Sequence, residues 1–231
     1  MHLFSRRELK RVLGAAAFLI GMSFTNPVKA QVFANPVENP FGLVNILGVS
    51  APTFADLDGD GDIDLLAGDD NGRLQYFENI GTETAPQFGP PQESAFGLSI
   101  SLFKVFPVFV DLDADGDYDI ISGNITYGSF RYYQNTGTIT EPHFTIPQFN
   151  PFGLVNLLDY AHPSVADIDN DGDFDLIVGD YNGLQFFENI GTINDPLFAT
   201  VQPFAFGIIS TGLYLASPTF TDLDNDGDFD L

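Results

Sequence analysis

A nine-residue acidic segment that occurs four times is the part of this sequence best suited to chemistry. In its first copy, Asp56 to Asp64, aspartates occupy positions 1, 3, 5, 7 and 9, and a glycine occupies position 6. The pattern returns at Asp111 to Asp119, Asp167 to Asp175 and Asp222 to Asp230, at spacings of 55, 56 and 55 residues. Carboxylates at alternate positions of a tight turn suit Ca²⁺, which takes six to eight oxygen ligands at about 2.3–2.6 Å. The glycine permits the sharp bend that lets positions 1, 3 and 5 converge.

The four segments therefore predict four calcium sites, with the carboxylate at position 9 closing each site and position 7 offering its backbone carbonyl. The predicted metal-binding residues are Asp56, Asp58, Asp60, Asp62, Asp64, Asp111, Asp113, Asp115, Asp117, Asp119, Asp167, Asp169, Asp171, Asp173, Asp175, Asp222, Asp224, Asp226, Asp228 and Asp230.

Two simpler explanations compete with a metal site, since Asp-Gly pairs make ordinary turns and acidic runs are often solvated surface. The recurrence of all five aspartates and the glycine in one register favours the metal. An EF-hand is excluded, because it needs a bidentate glutamate at position 12. That position holds Ala67, Ser122 and Val178 in the first three copies.

Residues 1–30 have the pattern of a secretory signal peptide. A basic head that includes Arg6 and Arg7 precedes an apolar run from Val12 to Phe24, and Val28-Lys29-Ala30 supplies small residues for cleavage after Ala30. The apolar run is too short for a typical membrane span. Export by the twin-arginine route and an uncleaved anchor are the alternatives. The pattern predicts a secreted protein, at the cell surface, in the periplasm or outside the cell.

The charge balance excludes some partners. The chain has 8 basic and 32 acidic residues. Five of the basic residues and one acidic residue lie within residues 1–30, so the remainder carries a net charge of −28. Such a surface repels phosphate backbones and argues against nucleic-acid binding. The sequence contains no cysteine, so metal ions rather than disulfides are expected to staple the fold.

The period extends beyond the aspartate segments. After a lead-in at residues 31–40, units are predicted at about 41–95, 96–151, 152–205 and 206–231, each opening with Phe-Gly-Leu or Phe-Gly-Ile. Each complete unit reads as about four short strands separated by turns. Four-stranded units at this period predict an all-β fold built of β-propeller blades. Because a fourth unit only begins, we expect either a fragment of a longer protein or closure by oligomerisation.

The aspartate loop, the Phe-Gly segments, Pro-Thr-Phe before the loop and Glu-Asn-Ile-Gly-Thr after it resemble the FG-GAP and VCBS repeats over residues 41–231. Such repeats form integrin α-subunit propellers and occur in secreted bacterial proteins. The resemblance implies calcium-binding blades. It also implies that positions 1, 3, 5 and 9 ligate through side chains, as Asp56, Asp58, Asp60 and Asp64 would, and that position 7 ligates through its carbonyl.

The sequence offers no recognisable catalytic constellation. His143 and His162 are isolated from one another, and the zinc-protease, serine-hydrolase and phosphate-loop motifs do not occur. We therefore predict a non-catalytic, calcium-binding scaffold for binding or adhesion, with an extracellular protein or a glycan as partner. Two alternatives stay open: a module of a polysaccharide-degrading enzyme, and a carbohydrate-binding lectin.

Overall fold

The part of the chain that the structure describes forms three antiparallel sheets of four strands each. The structure, a computed structural model, describes residues 35, 37–46, 48, 50–99, 103–203, 216–220 and 231. In each sheet the strands follow one another in chain order, so every neighbouring pair is antiparallel. The predicted all-β class and the predicted four-stranded units are confirmed, and we call the three sheets blades 1, 2 and 3.

The bounds of the strands repeat from blade to blade. Blade 1 contains β1 (Ala51–Ala55), β2 (Asp64–Gly68), β3 (Leu74–Phe77) and β4 (Gln92–Glu93). Blade 2 contains β5 (Val105–Val110), β6 (Asp119–Asn124), β7 (Phe130–Tyr133) and β8 (Gln148–Phe149). Blade 3 contains β9 (His162–Ala166), β10 (Asp175–Asp180), β11 (Gly183–Phe187) and β12 (Gln202–Pro203).

The core lies between successive blades, because each sheet is apolar on both faces. Leu66 and Tyr76 of blade 1 pack in one buried cluster with Ile120 and Tyr133 of blade 2. A second cluster joins blades 2 and 3 in the same way, and it contains Ile121, Tyr132, Leu176 and Phe187. The second strand of every blade is fully buried, as expected for a strand covered on both faces. This burial explains why these strands read as continuous apolar runs in the sequence.

Close approach of the backbones also joins the blades. A Cβ placed on Gly68 would lie 2.2 Å from the carbonyl oxygen of Val105 in blade 2, and one on Gly123 would lie 1.9 Å from that of Ala161. A Cβ placed on Gly179 would likewise lie 2.0 Å from the carbonyl oxygen of Ala216. Each glycine ends or nearly ends the second strand of its blade, so no larger residue fits at this junction.

The Phe-Gly segments connect neighbouring blades. Phe96 adopts a positive φ of 53°, and its ring lies 4.9 Å from that of Tyr76 in the preceding blade. Its carbonyl oxygen accepts a hydrogen bond from the N–H of Phe144 in the following blade. Phe152 repeats the arrangement, with its ring 5.0 Å from Tyr132.

The first strands of the blades contact one another in series, β1 against β5 and β5 against β9. They form the inner edge of the array, and each leads directly into an aspartate loop that connects it to the second strand. All three described loops therefore leave the same end of the array. In the part of the chain that the structure describes, no helix has the length and apolar character needed to cross a membrane.

Candidate metal centre

Aspartate oxygens converge in each of the three described loops. In blade 1, one oxygen from each of Asp56, Asp58 and Asp64 lies within 4.8 Å of the other two. In blades 2 and 3 the same spacing joins the aspartates at positions 1, 3 and 5 of the loop, which are Asp111, Asp113, Asp115, Asp167, Asp169 and Asp171. Oxygens this close suit ligation of one cation, because ligands at about 2.3–2.6 Å from an ion lie within twice that distance of one another.

The bend of each loop is made by two residues with positive φ. Position 6 is the predicted glycine, and φ is 95° at Gly61 and 98° at Gly116. Position 4 is also left-handed, at Gly59, Ala114 and Asn170. The N–H of the position 6 glycine donates to the carboxylate of position 1 in every described loop, at 3.1 Å. This bond closes the turn and draws the first aspartate over it.

Several carboxylate oxygens of these loops are buried and have no hydrogen-bond partner. They are Oδ1 of Asp56, Asp111, Asp113, Asp117 and Asp173. An unsatisfied buried acceptor costs about 1–3 kcal/mol, and more when it is charged. A cation held among the aspartates would satisfy such atoms, so the residues present fit a metal ion. Asp117 and Asp173 occupy position 7, for which the sequence predicted only a carbonyl ligand.

The aspartate at position 9 accepts hydrogen bonds that connect its loop to the rest of the blade. Oδ1 of Asp119 accepts a hydrogen bond from the N–H of Asn135 at 2.8 Å, and Oδ2 accepts from the Tyr132 hydroxyl at 2.6 Å. Oδ2 also accepts from the N–H of Leu112, at 3.4 Å. In blade 1, Asp64 accepts from the equivalent groups, which are the N–H of Leu57, the hydroxyl of Tyr76 and the N–H of Asn79, at 2.7–3.1 Å. The position 9 carboxylate thus ties the loop to the third strand, whether or not it also touches a metal.

Burial and mutual repulsion raise the pKa of many of these carboxyls. Burial raises the pKa of Asp119 to about 7 and that of Asp175 to about 6. Burial and the neighbouring carboxylates raise the pKa of Asp58, Asp117 and Asp173 above the ordinary value. A divalent cation would offset the free-energy cost of ionising these groups together.

A family comparison agrees with this geometry. The model of the FG-GAP-like repeat matches three overlapping ranges, residues 56–122, 111–178 and 167–231. The chain belongs to the FG-GAP-like repeat family. Each matched range begins at position 1 of an aspartate loop and extends through the next loop. The loop-to-loop span is therefore the unit of this family in the chain.

Other comparisons add little to the FG-GAP-like assignment. No curated protein matches the chain. A chain of the Photorhabdus luminescens Tc holotoxin pore is similar in structure, with 18% identity and a TM-score of 0.37. The match covers 65% of this chain and 7% of that chain.

The first and second FG-GAP-like loops also lie beside the next blade. Asn194, in a turn of blade 3, donates from its side chain to the carbonyl oxygen of Asp113 at 2.9 Å. In the equivalent turn of blade 2, Thr140 lies against Gly59 of the first loop. A metal ion that orders a loop would therefore also hold the surface on which the following blade rests.

The predicted site residues fall into three groups. Positions 1 and 3 converge in every described loop, whereas the third member of the triad is Asp64 in blade 1 and position 5 in blades 2 and 3. Asp60, Asp62, Asp117, Asp119, Asp173 and Asp175 lie in the loops but outside these triads. The fourth loop, from Asp222 to Asp230, and the predicted signal peptide lie outside the described residues.

Sequence reasoning missed the asparagine that follows the third strand. The side chain of Asn79 accepts from the N–H groups of Gly81 and Gln87, while its own N–H donates to Asp64. Asn135 and Asn189 repeat this pattern. The recurrence of this asparagine in the motif Asn-x-Gly-Thr is the sequence feature that could have identified its role.

Proposed function

We propose that this chain is a secreted, non-catalytic scaffold for binding or adhesion whose blades are stabilised by structural Ca²⁺. The observation that carries the proposal is the convergence of three aspartate oxygens within 4.8 Å in each described loop. Unpartnered buried oxygens in the same loops support it. The FG-GAP-like repeats also suit a β-propeller-type binding module.

The donor set favours Ca²⁺ over other common cations. Every candidate ligand in the described clusters is a carboxylate oxygen. Zn²⁺ prefers nitrogen and sulfur ligands, and Mg²⁺ demands near-ideal octahedral geometry and keeps several waters. The triads differ in composition between blade 1 and blades 2 and 3, and Ca²⁺ tolerates such irregular coordination.

Removal of calcium tests the structural role. A site whose Kd lies 100-fold below the free calcium concentration stabilises the folded state by about 2.7 kcal/mol. Several such sites would match much of the roughly 5–15 kcal/mol stability of a typical domain. We expect the melting temperature of the purified chain to fall by 10 °C or more, on the order of the shift these energies imply, in EGTA. An unchanged melting temperature in EGTA would contradict the proposal.

A matched pair of variants tests the assignment of the ligands. Asp113→Asn should lower the calcium stoichiometry measured by isothermal titration calorimetry by one site. Asp159 is an exposed aspartate outside the loops, so Asp159→Asn removes the same charge and should leave the stoichiometry unchanged. Full stoichiometry in Asp113→Asn would remove that residue from the ligand set.

Secretion is proposed from the pattern of residues 1–30. We expect the exported chain to begin at Gln31, as read by N-terminal sequencing of protein collected outside the cytoplasm. Retention of residues 1–30 on the exported protein would instead support the uncleaved anchor.

The non-catalytic role rests on where the carboxylates are. Among the described residues, the carboxylates that converge in groups of three lie in the aspartate loops, where bound Ca²⁺ would keep them ionised and unable to act as a general acid. We expect no release of reducing sugar from a panel of polysaccharides in the presence of calcium. Hydrolysis that persists in Asp113→Asn would favour the enzyme-module alternative.

A further inference from the structure

A cavity of about 370 Å³ lies at the end of the array opposite the aspartate loops. It is lined at the starts of successive first strands, by residues that include Ser50, Lys104, Phe106, His162 and Ser217. Its volume falls at the lower end of the range of about 300–1,000 Å³ that is usual for ligand pockets. Three blades and the segment at residues 216–220 all contribute to it.

Three of the residues that line the cavity, Phe106, His162 and Ser217, occupy one equivalent position of the repeat, directly before a proline. Ala51 holds the same position in the first unit but does not line the cavity. The proline after them recurs in all four units, as do the five loop aspartates. The position itself therefore accepts small, aromatic, basic or hydroxyl side chains. The fold does not dictate these residue types, so they are free to serve a ligand.

Lys104 is the residue of this lining that carries a formal charge, and a carboxylate outside the lining offsets that charge. Nζ of Lys104 lies 2.9 Å from Oδ1 of Asp70. Burial lowers the pKa of His162, which keeps its imidazole uncharged near neutral pH. Since the chain as a whole carries a net charge of −24, an anion is repelled at long range. A cation would find no carboxylate among the residues that line the cavity. These charges together favour a neutral ligand in the cavity.

The polar and apolar groups are placed for a ligand that has both kinds of surface. The rings of Phe106 and His162 lie 4.5 Å apart and form an aromatic wall. Oγ of Ser217 lies 3.3 Å from Nε2 of His162, and the ammonium group of Lys104 supplies further donors. Convergent polar groups on an aromatic wall recognise molecules that carry several hydroxyl groups on a compact apolar ring.

We propose that this cavity binds one neutral sugar unit, with its ring against Phe106 and its hydroxyls facing His162, Ser217 and Lys104. The inference rests on the proposed role of the chain as a binding scaffold and names its ligand class. The cavity and the first aspartate loop are separated by the length of β1, five residues or about 16 Å. Sugar binding and calcium binding can therefore be altered separately.

Saturation-transfer NMR and calorimetry in calcium-containing buffer test the proposal. The probes are methyl glycosides of glucose, galactose, mannose and N-acetylglucosamine, with glucuronate and glucosamine as charged comparators. We expect at least one neutral glycoside to bind and the charged sugars to bind more weakly. Ser217→Phe fills the cavity with a side chain that blade 2 already holds at the equivalent position, and it should lower the affinity at least tenfold. His162→Ser, which introduces the residue of the fourth unit, should do the same.

Phe149→Ala is the control, because Phe149 is exposed on β8 and does not line the cavity. It should leave the affinity unchanged. The proposal is overturned if no neutral glycoside binds, if a charged sugar binds best, or if Ser217→Phe binds as tightly as the unmodified chain. Calcium titrations of the same samples separate the two proposals. If the chain takes up calcium but binds no neutral sugar, only this inference is overturned. If it binds a neutral sugar but takes up no calcium, only the structural role of Ca²⁺ is overturned.

Discussion

Positions 4 and 6 of each aspartate loop carry its bend at the scale of single residues. A Cβ added at Gly116 would meet no atom within 4 Å, so space is not what requires a glycine there. The requirement is conformational, because φ at this residue is 98°. Ala114 already accepts a positive φ of 55° at position 4, and this residue therefore stores strain that Gly59 avoids in blade 1.

These two positions give opposite predictions for one loop. Gly116→Ala should destabilise the chain by about 1–2 kcal/mol, the usual cost of a left-handed conformation for an L-residue. Ala114→Gly should relieve strain and stabilise it by up to about 1 kcal/mol. Urea unfolding at fixed calcium concentration measures both changes. If the two variants shifted the midpoint in the same direction, the account of the bend would be wrong.

The pKa of Asp119 predicts a dependence of stability on pH. The folded carboxyl has a pKa of about 7, against about 3.9 for an unfolded aspartate. The folded state therefore binds more protons, so the stability that neutral Asp119 contributes is complete below about pH 4 and is lost as pH rises through 7. Asp175 acts in the same direction, with a pKa of about 6.

We therefore expect the melting temperature in EGTA to fall between pH 5 and pH 8. With calcium the trend should reverse, because protons compete with the metal for converging carboxyls whose pKa is raised, such as Asp58 and Asp111, and calcium affinity should rise over the same interval. Scanning calorimetry at several pH values, with and without calcium, measures both. A melting temperature in EGTA that rises toward pH 8 would count against the assigned pKa values.

At the scale of elements, the junctions between blades depend on glycines of the second strands. The added Cβ of Gly123→Ala would lie 1.9 Å from the carbonyl oxygen of Ala161, and backbone atoms cannot rotate away as a side chain can. We expect a loss of about 3 kcal/mol, the upper part of the range for overpacking. Chemical unfolding at fixed calcium concentration checks the value.

Gly89→Ala is the matched control for that variant. A Cβ at Gly89 would have its nearest neighbour at 3.7 Å, which is ordinary contact. It should change stability by less than about 0.5 kcal/mol. Equal losses in the two variants would show that blade spacing is not the cause.

The sequence predicted the elements better than the junctions between them. The strands and the aspartate loops follow from local patterns, so the four-stranded units and the loop from Asp56 to Asp64 could be predicted in advance. The contact of Phe96 with Tyr76 joins two blades, and no pattern within one unit reveals it. The role of Asn79 depends on hydrogen bonds that reach 15 residues back to Asp64, which only the folded blade brings close.

Candidate site residues divide in the same way. The convergence of Asp56 and Asp58 follows from their spacing, because neighbours on one turn must meet. Phe106, His162 and Ser217 are each about 55 residues apart in the chain. They meet only because successive first strands lie side by side, so the cavity they line could not be predicted from the sequence.

At the scale of the whole molecule, the net charge of −24 acts against the folded state when no metal is bound. In each described loop, one oxygen from each of three aspartates lies within 4.8 Å of the other two, far closer than the screening length of about 8–10 Å at physiological ionic strength. Salt can therefore weaken the repulsion between loops but only partly the repulsion within a loop. Bound Ca²⁺ would remove much of the repulsion between loops and much of the repulsion within each loop.

This difference predicts that monovalent salt should stabilise the metal-free chain and have little effect on the calcium-loaded chain. Raising the salt from about 0.01 M to 0.15 M shortens the screening length from about 30 Å to about 8 Å. The melting temperature in EGTA should then rise by a few degrees, on the order of the 2–4 °C that accompanies 1 kcal/mol in a domain of this size. Tetramethylammonium chloride, whose cation is too large to enter the loops, separates screening from sodium binding. An equal shift with and without calcium would mean that the aspartate loops are not the source of the repulsion.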